Sequence, residues 1–235
     1  MEGQSIYEAC IHAMVLLFSG NPDLWRIIWT SFSVSLRATA ISTPIVVLLA
    51  FLLAYGRFPG RTTLVYIFNA LLSFPAVVVG LTLYLVLSRS GPLGDLHLLF
   101  TQKAMVIGQI MLSLPLMTVM CLVAFQGGDR RAWETARTLG APPWRAFLTV
   151  VYDVRFGLIA GIIAGFGRVI SEVGVSLMVG GNILNFTRNI TTAIALETSK
   201  GAFSQGIALG FVLMLLAFTL NLMLTLLQGR KEGPL

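Results

Sequence analysis

The sequence predicts an all-α polytopic membrane protein with about five transmembrane helices and a further N-terminal helix lying in the membrane interface. Three observations predict it. The 235 residues are 56% hydrophobic and only 11% charged, with a mean hydropathy of +0.85, whereas a soluble domain needs about a quarter of its residues charged to cover its surface. Five apolar stretches recur, each near or above the roughly 20 residues that cross a hydrocarbon core of about 30 Å. Between the third and the fourth lies one interior polar island, residues 127–145, too charged to sit in hydrocarbon.

The net charge of +6 and pI near 9.8 do not point to nucleic acid, because the basic residues are scattered between apolar spans and form no stripe with interleaved aromatics. They read as loop charge that orients the chain in a bilayer. Cys10 and Cys121 have no Cys or His neighbour at metal-ligand spacing, and His12 and His97 stand apart from paired carboxylates, so no metal or hydrolytic centre is expected. The first twenty residues carry Glu2 and Glu8 and no basic residue. They lack the positive n-region of a cleaved signal, and the mature chain is expected to begin near Met1.

In chain order, residues 5–19 place Ile6, Ala9, Cys10, Ala13, Met14, Leu17 and Phe18 at helical intervals, too short a run to span and suited to the interface. Gly20-Asn21-Pro22-Asp23 breaks it. The first span is expected from about Leu24 to Tyr55, with Trp25 and Trp29 at headgroup level. Arg37 interrupts it, either as a snorkelling side chain or as a cation near a transport path. Arg57-Phe58-Pro59-Gly60-Arg61 closes this span with breakers and cations. The second, about Thr62 to Ser88, contains Ser73-Phe74-Pro75 and is expected to kink or break there, facing protein or water. A short helix is expected around His97–Thr101.

The third span, about Ala104 to Gln126, carries Ser113 and Pro115 as a further kink and leads to the polar island. The fourth, about Phe156 to Met178, holds Gly157, Gly161 and Gly165 at strict four-residue spacing, which lines small residues on one face for close helix packing. It also carries Arg168, Ser171 and Glu172. A polar loop follows over 180–192, where Asn182, Asn185, Thr187 and Arg188 are either plain solvated residues or a contact for a delivering protein. The fifth span is expected from about Phe203 to Leu227, ahead of Arg230 and Lys231.

Five spans put the termini on opposite sides. Arg57, Arg61, Arg130, Arg131, Arg137, Arg145, Arg155, Arg230 and Lys231 share one side, nine cations, against Arg26, Arg89, Lys103, Arg188 and Lys200, five, on the other. The positive-inside rule then makes the central loop and C-terminus cytoplasmic and the N-terminus external.

Within the island, Asp129 can cap a helix starting at Arg130, and Trp133, Ala136, Arg137 and Gly140 fall three or four residues apart. Gly140 ends that helix and Pro142-Pro143 forbids its continuation, so a short helix, a sharp bend and a second helix from about Trp144 are expected. A bland connecting loop is the alternative. Glu134-Thr135-Ala136 with Gly140 four residues on resembles the EAA loop of permease subunits of ABC importers. Thr135 departs from the family's small residue, and Tyr152-Asp153 stands where the motif ends in Leu-Pro. Gly167-Arg168-Val169-Ile170-Ser171-Glu172-Val173-Gly174, followed by Gly181-Asn182, resembles the molybdate and tungstate branch, and Thr191 to Gly201 is most like tungstate-type permeases.

This resemblance implies a chain of two parts, an N-terminal interfacial segment (1–23) and an ABC importer transmembrane domain (24–235) with its coupling loop at 127–155. It implies that Trp133, Glu134, Ala136, Arg137, Leu139, Gly140 and Ala141 form a cytoplasmic coupling helix and bend that dock into a separate ATPase. The implied partners are a second copy of the chain, two ABC ATPase subunits, an external or periplasmic oxyanion-binding protein, and the lipid of the cytoplasmic membrane. No cofactor is expected on this chain. It has no Gly-x-x-x-x-Gly-Lys-Ser/Thr loop, so ATP and its Mg²⁺ belong to the partner. The implied function is permeation of an oxyanion, tungstate in first place. The alternatives are molybdate or a sulfate-like anion, then a passive channel or membrane scaffold without energy coupling.

Arg168 and Glu172 are four residues apart and can pair on one helix face, turned to a helix interface or a cavity, since a lipid-facing charge costs a few kcal/mol. Two roles stand open for this pair with Ser171: a lock on helix packing, or part of the path, with Arg168 attracting a dianion.

Overall fold

The computed structural model describes residue 15 and residues 20–229. The expected interfacial helix and the Arg230-Lys231 end lie outside these residues. The described chain is all-helical: α1 (Pro22–Tyr55), α2 (Arg61–Leu71), α3 (Ala76–Leu87), a 3-10 turn (Gly94–Leu96), α4 (Gln102–Gln126), α5 (Arg130–Thr138), α6 (Pro143–Asp153), α7 (Arg155–Ile170), α8 (Gly174–Gly180), α9 (Ile190–Ser199) and α10 (Phe203–Gly229). Three helices are long and apolar enough to cross a membrane, Pro22–Tyr55, Gln102–Gln126 and Gln205–Met223 within α10. The pairs α2 with α3 and α6 with α7 pass the same test as bent pairs, which gives up to five spans.

Two compact units are distinguished. One holds the chain up to Ala38, Pro75–Leu112 and Gly167–Thr219; the other holds Thr39–Phe74, Ser113–Phe166 and the chain from Leu220. In the first, Val34, Ala38, Leu83, Met105, Val169, Val175 and Val179 bury one another, and Leu24, Ile28, Ile190, Ala193 and Leu209 form a second cluster. Glycine at position 108 is required by close approach: a Cβ there would sit 2.3 Å from Val175 Cγ1. The second unit is built on Val46, Ala50, Phe51, Met117, Cys121, Phe125, Val150, Val154 and Leu158.

Most expected elements are present, with four differences. The second span does break before Pro75, which opens α3 from its N-cap position, where a missing N–H costs nothing. Pro115, by contrast, lies inside an unbroken α4, and Pro44 inside an unbroken α1. Instead of a helix at His97–Thr101 there is the 3-10 turn Gly94–Leu96. His97 and Phe100 then take φ of 48° and 62°, a left-handed backbone that ends helical propagation. The fourth span does not continue to Met178, because α7 stops at Ile170 and α8 starts afresh at Gly174. Finally, the 180–192 segment is solvated only in part: residues 183–186, Asn185 among them, are exposed and Asn182 and Arg188 are half-buried, but its C-terminal half turns inward. Thr187, Asn189, Thr191 and Thr192 are buried: Thr187 Oγ1 donates to Gly180 O at 2.5 Å, and Asn189 and Thr192 form a reciprocal capping box that opens α9.

Candidate functional site: the polar island and the charged helix break

The island folds as a helix, a bend and a helix, and each step has a local cause. Asp129 is the N-cap of α5, its Oδ1 accepting from Arg131 N at 2.9 Å, so one of the unpaired amides of the first turn is satisfied. At the far end Gly140 takes φ +86°, Gly140 N donates to Arg137 O at 3.2 Å and Ala141 N to Ala136 O at 3.0 Å. This is a Schellman closure, which needs a residue that tolerates the left-handed region. Arg137 Nη1 donates to Ala141 O at 2.8 Å and ties the helix to the turn that follows. Pro142 and Pro143 then start α6, with Pro143 in its first turn.

Of the residues singled out in the island, Trp133 and Ala136 are half-buried, while Glu134, Arg137, Leu139 and Gly140 are exposed. Leu139 is 82% exposed, an apolar side chain standing in solvent at the tip of the bend. Trp133 turns inward. Its ring lies 5.2 Å from Phe51, edge-on, and 5.9 Å from Tyr55. Phe51 also meets Phe147 of α6 at 4.8 Å and Phe125 of α4 at 5.7 Å, both edge-to-face. One buried phenyl ring from α1 thus touches α4, α5 and α6, and such aromatic pairs add about 0.5–1.5 kcal/mol each beyond burial. The sequence reading passes over Phe51. Its signal was the Phe51, Tyr55 pair four residues apart at the end of α1, beside the cations of the turn.

From α6 the chain bends by 74° into α7 without a proline. Val154, buried at the corner, ends α6. Arg155 Nη1 donates to Tyr152 O at 2.7 Å, and its guanidinium lies 4.1 Å from the Tyr152 ring and 4.5 Å from Phe156. A stacked arginine and a buried valine do here what Leu-Pro was expected to do. Along α7, the three glycines face α4 as the four-residue spacing predicted. A Cβ on Gly157 would stand 2.8 Å from Ala124 Cβ, on Gly161 3.1 Å from Met120 Cβ, and on Gly165 2.2 Å from Met117 Cγ. Helices α4 and α7 therefore pack with backbone nearly against side chain.

At the break between α7 and α8 the expected ion pair forms, with Arg168 Nη1 and Glu172 Oε2 at 2.5 Å. The sequence did not show what else Glu172 does. It lies beyond the end of α7, is 6% exposed, and its Oε1 accepts from Gly174 N at 2.8 Å and Val175 N at 3.4 Å, while Thr191 Oγ1 donates to its backbone O at 2.9 Å. The carboxylate thus accepts from the first two amides of α8 while paired with Arg168 in the last turn of α7. The Arg168 side chain is 41% exposed. Among the described residues the Ser171 hydroxyl bonds neither charged side chain and donates back to the backbone, to Gly167 O and Arg168 O, within the last turn of α7. In the first span, Arg37 donates to Ser33 O, Ser33 Oγ and Gln102 Oε1, a helix-to-helix tie. Among the described residues, no group of His, Cys, Asp and Glu has metal-binding geometry.

The chain matches the family model described as "Binding-protein-dependent transport system inner membrane component" over residues 14–233. It is 38% identical over 216 residues to the tungstate uptake system permease protein TupB of Campylobacter jejuni, covering 92% of this chain and 90% of that protein. It is 32% identical over 178 residues to the molybdenum transport system permease protein ModB of Escherichia coli K12, covering 72% of this chain and 78% of that protein. Among solved structures it resembles a chain of a bacterial ABC transporter involved in the import of the acidic polysaccharide alginate, with a TM-score of 0.71 at 17% identity, over 94% of this chain and 82% of that one. A chain of the inward-facing MetNI methionine ABC transporter gives 0.63 at 15% identity, over 91% and 97%. At these identities the structural likeness speaks for the fold.

Proposed function

The chain belongs to the family of binding-protein-dependent transport system inner membrane components, and from that premise we propose that it is the permease subunit of an ABC importer for tungstate. The substrate reading is supported by 38% identity with the tungstate permease across most of both chains. The observation that carries the energy-coupling reading is the exposed helix and bend of α5, with Leu139 at its tip, seated on the Phe51 cluster through Trp133.

A soluble ATPase gripping Glu134, Leu139 and Gly140 pushes on a short rigid unit. Trp133, Phe147 and Val150 fasten that unit to α1 and α4, and α7 follows directly from α6. The glycine stripe then obliges α4 to move with α7, because closely packed helices have no slack to absorb a displacement. ATP and Mg²⁺ are handled by the partner. With one coupling loop per chain, two copies face two ATPase subunits, and an external binding protein delivers the anion. The nine-to-five distribution of cations supports a cytoplasmic loop and an external N-terminus.

The test is uptake by the assembled complex. Tungstate is taken up in preference to molybdate and sulfate, and Glu134→Lys, at an exposed position, leaves the protein in the membrane while abolishing ATP-driven uptake and co-purification with the ATPase. Normal uptake and undiminished co-purification in that variant refute the coupling assignment, and nucleotide-independent flux through the chain alone favours a channel instead.

A further inference from the structure

Two cavities open beside Tyr55, at the junction of the α1 end with the start of α5. The smaller, about 180 Å³, is bounded by Tyr55, Arg61, Gly128 and Arg130; the larger, about 360 Å³, shares Tyr55 and Arg130 and adds Arg57 and Glu134. Its lining residues include no carboxylate, and Asp153 Oδ2 stands beside it, 3.6 Å from where a Cβ on Gly128 would lie. Among the described residues, the ion pairs are Arg168 with Glu172 and Lys200 with Glu197, so neither Arg61 nor Arg130 is in direct contact with a carboxylate, while Asp129 and Asp153 stand near enough to act on Tyr55. Arg61 Nε donates to Leu53 O at 2.5 Å, which fixes the guanidinium plane, and among the described residues its terminal nitrogens make no hydrogen bond. Arg130 stands 5.9 Å over the Tyr55 ring, and the Tyr55 hydroxyl makes no hydrogen bond among the described residues.

Two guanidinium groups outside any ion pair among the described residues and a phenol O–H around a small cavity match the two charged non-bridging oxygens of a phosphodiester, which arginine forks recognise better than an isolated charge. The chemistry next to them says what carries the phosphate. Helix α2 begins at Arg61, has no buried residue, and leaves Leu64, Ile67 and Leu71 exposed at positions three, six and ten beyond it, a stripe at helical spacing. An acidic side chain from another protein would use the cavity and leave the stripe bare. A phospholipid uses both, its headgroup between the arginines and its acyl chains along α2. We propose that Tyr55, Arg61 and Arg130 form a binding site for an anionic phospholipid, in the leaflet on the side of the polar island, where basic pockets next to spanning helices attract such headgroups. Arg130 is the first residue of α5, so the bound lipid fastens the base of that helix to α2. This consequence rests on the coupling reading, whereas the binding does not.

The test counts lipid directly, independently of transport. The assembled complex is placed in nanodiscs of phosphatidylcholine alone or with phosphatidylglycerol, and retained lipid is read by native mass spectrometry alongside the melting temperature. Phosphatidylglycerol is retained over phosphatidylcholine and raises the melting temperature. Arg130→Gln lowers its affinity roughly tenfold, as expected for one lost charge-assisted hydrogen bond, and Tyr55→Phe lowers it about threefold. Arg89→Gln, in the other unit, leaves it unchanged. Equal retention of the two lipids, or retention indifferent to Arg130→Gln, overturns the proposal. Inorganic phosphate giving the same Arg130-dependent stabilisation in phosphatidylcholine discs assigns the site to a soluble anion and removes the lipid. If the ATPase-free chain keeps phosphatidylglycerol and the complex sheds it, a partner side chain fills the cavity and the lipid assignment also falls.

Discussion

At the scale of single residues, two side chains concentrate more structure than their neighbours, and both are buried. Phe51 joins α4, α5 and α6 through three edge-to-face contacts. Phe51→Ala is expected to remove about 3–5 kcal/mol of stability, read as a lower denaturant midpoint in detergent, while Phe51→Leu keeps most of the volume and loses less. Equal, small losses for both would show that the aromatic contacts are incidental. Glu172 is the second. Its carboxylate serves two backbone amides and Arg168 from a buried position, so Glu172→Ala strips the cap from α8 and leaves two buried or half-buried amides without their acceptor. We expect about 3 kcal/mol of destabilisation for Glu172→Ala against roughly 1 kcal/mol for Arg168→Ala, whose charge can be hydrated. Melts that show this asymmetry support the lock as the role of Glu172. Thermal melts in which Arg168→Ala costs as much as Glu172→Ala, or more, reverse that assignment.

At the scale of elements, α5 is a helix with little of its own to hold it. It has nine residues, none fully buried, and depends on its cap, its Schellman closure and the seat of Trp133. Gly140→Val forces a β-branched residue into φ +86°, at a cost of about 1–2 kcal/mol or more. Hydrogen exchange is expected to quicken at amides 131–141 and stay unchanged in α4. Uniform quickening along both would mean that the island and the span unfold together. The four-residue glycine stripe and the island's boundaries were legible in the sequence because they depend on local chemistry: spacing, capping and the proline pair. The α7–α8 break was not legible, because Ser171-Glu172-Val173 contains no helix breaker, and the stop is decided by a carboxylate turned to the next helix. Nor was burial of Thr187, Asn189, Thr191 and Thr192, since polar residues satisfied by one another look the same in sequence as solvated ones.

At the scale of the whole molecule, cation placement gives a topology that can be checked without transport. In a background where Cys10 and Cys121 are replaced by serine, Thr135→Cys in α5 should react with a membrane-impermeant maleimide only in inside-out vesicles, and Ser90→Cys only in intact cells or right-side-out vesicles. Both positions are exposed. Labelling of both from the same side would remove the odd number of spans between the loop after α3 and α5, and with it the cytoplasmic placement of the island.

The sequence by itself determined the solvent of this protein, its apolar helices, the polar island with its cap and bend, and the family resemblance. These follow from composition, helical period and short-range backbone chemistry, which act within a few residues and need no partner. Tertiary structure alone decided that one phenylalanine would gather three helices, that an arginine stacked on Tyr152 would turn the chain where no proline stands, and that Glu172 would serve as a cap as well as an ion-pair partner. The first depends on side chains meeting across long stretches of sequence; the other two are contacts within three residues whose choice of partner is made only once the helices are packed. Spacing along the chain carries no record of that choice.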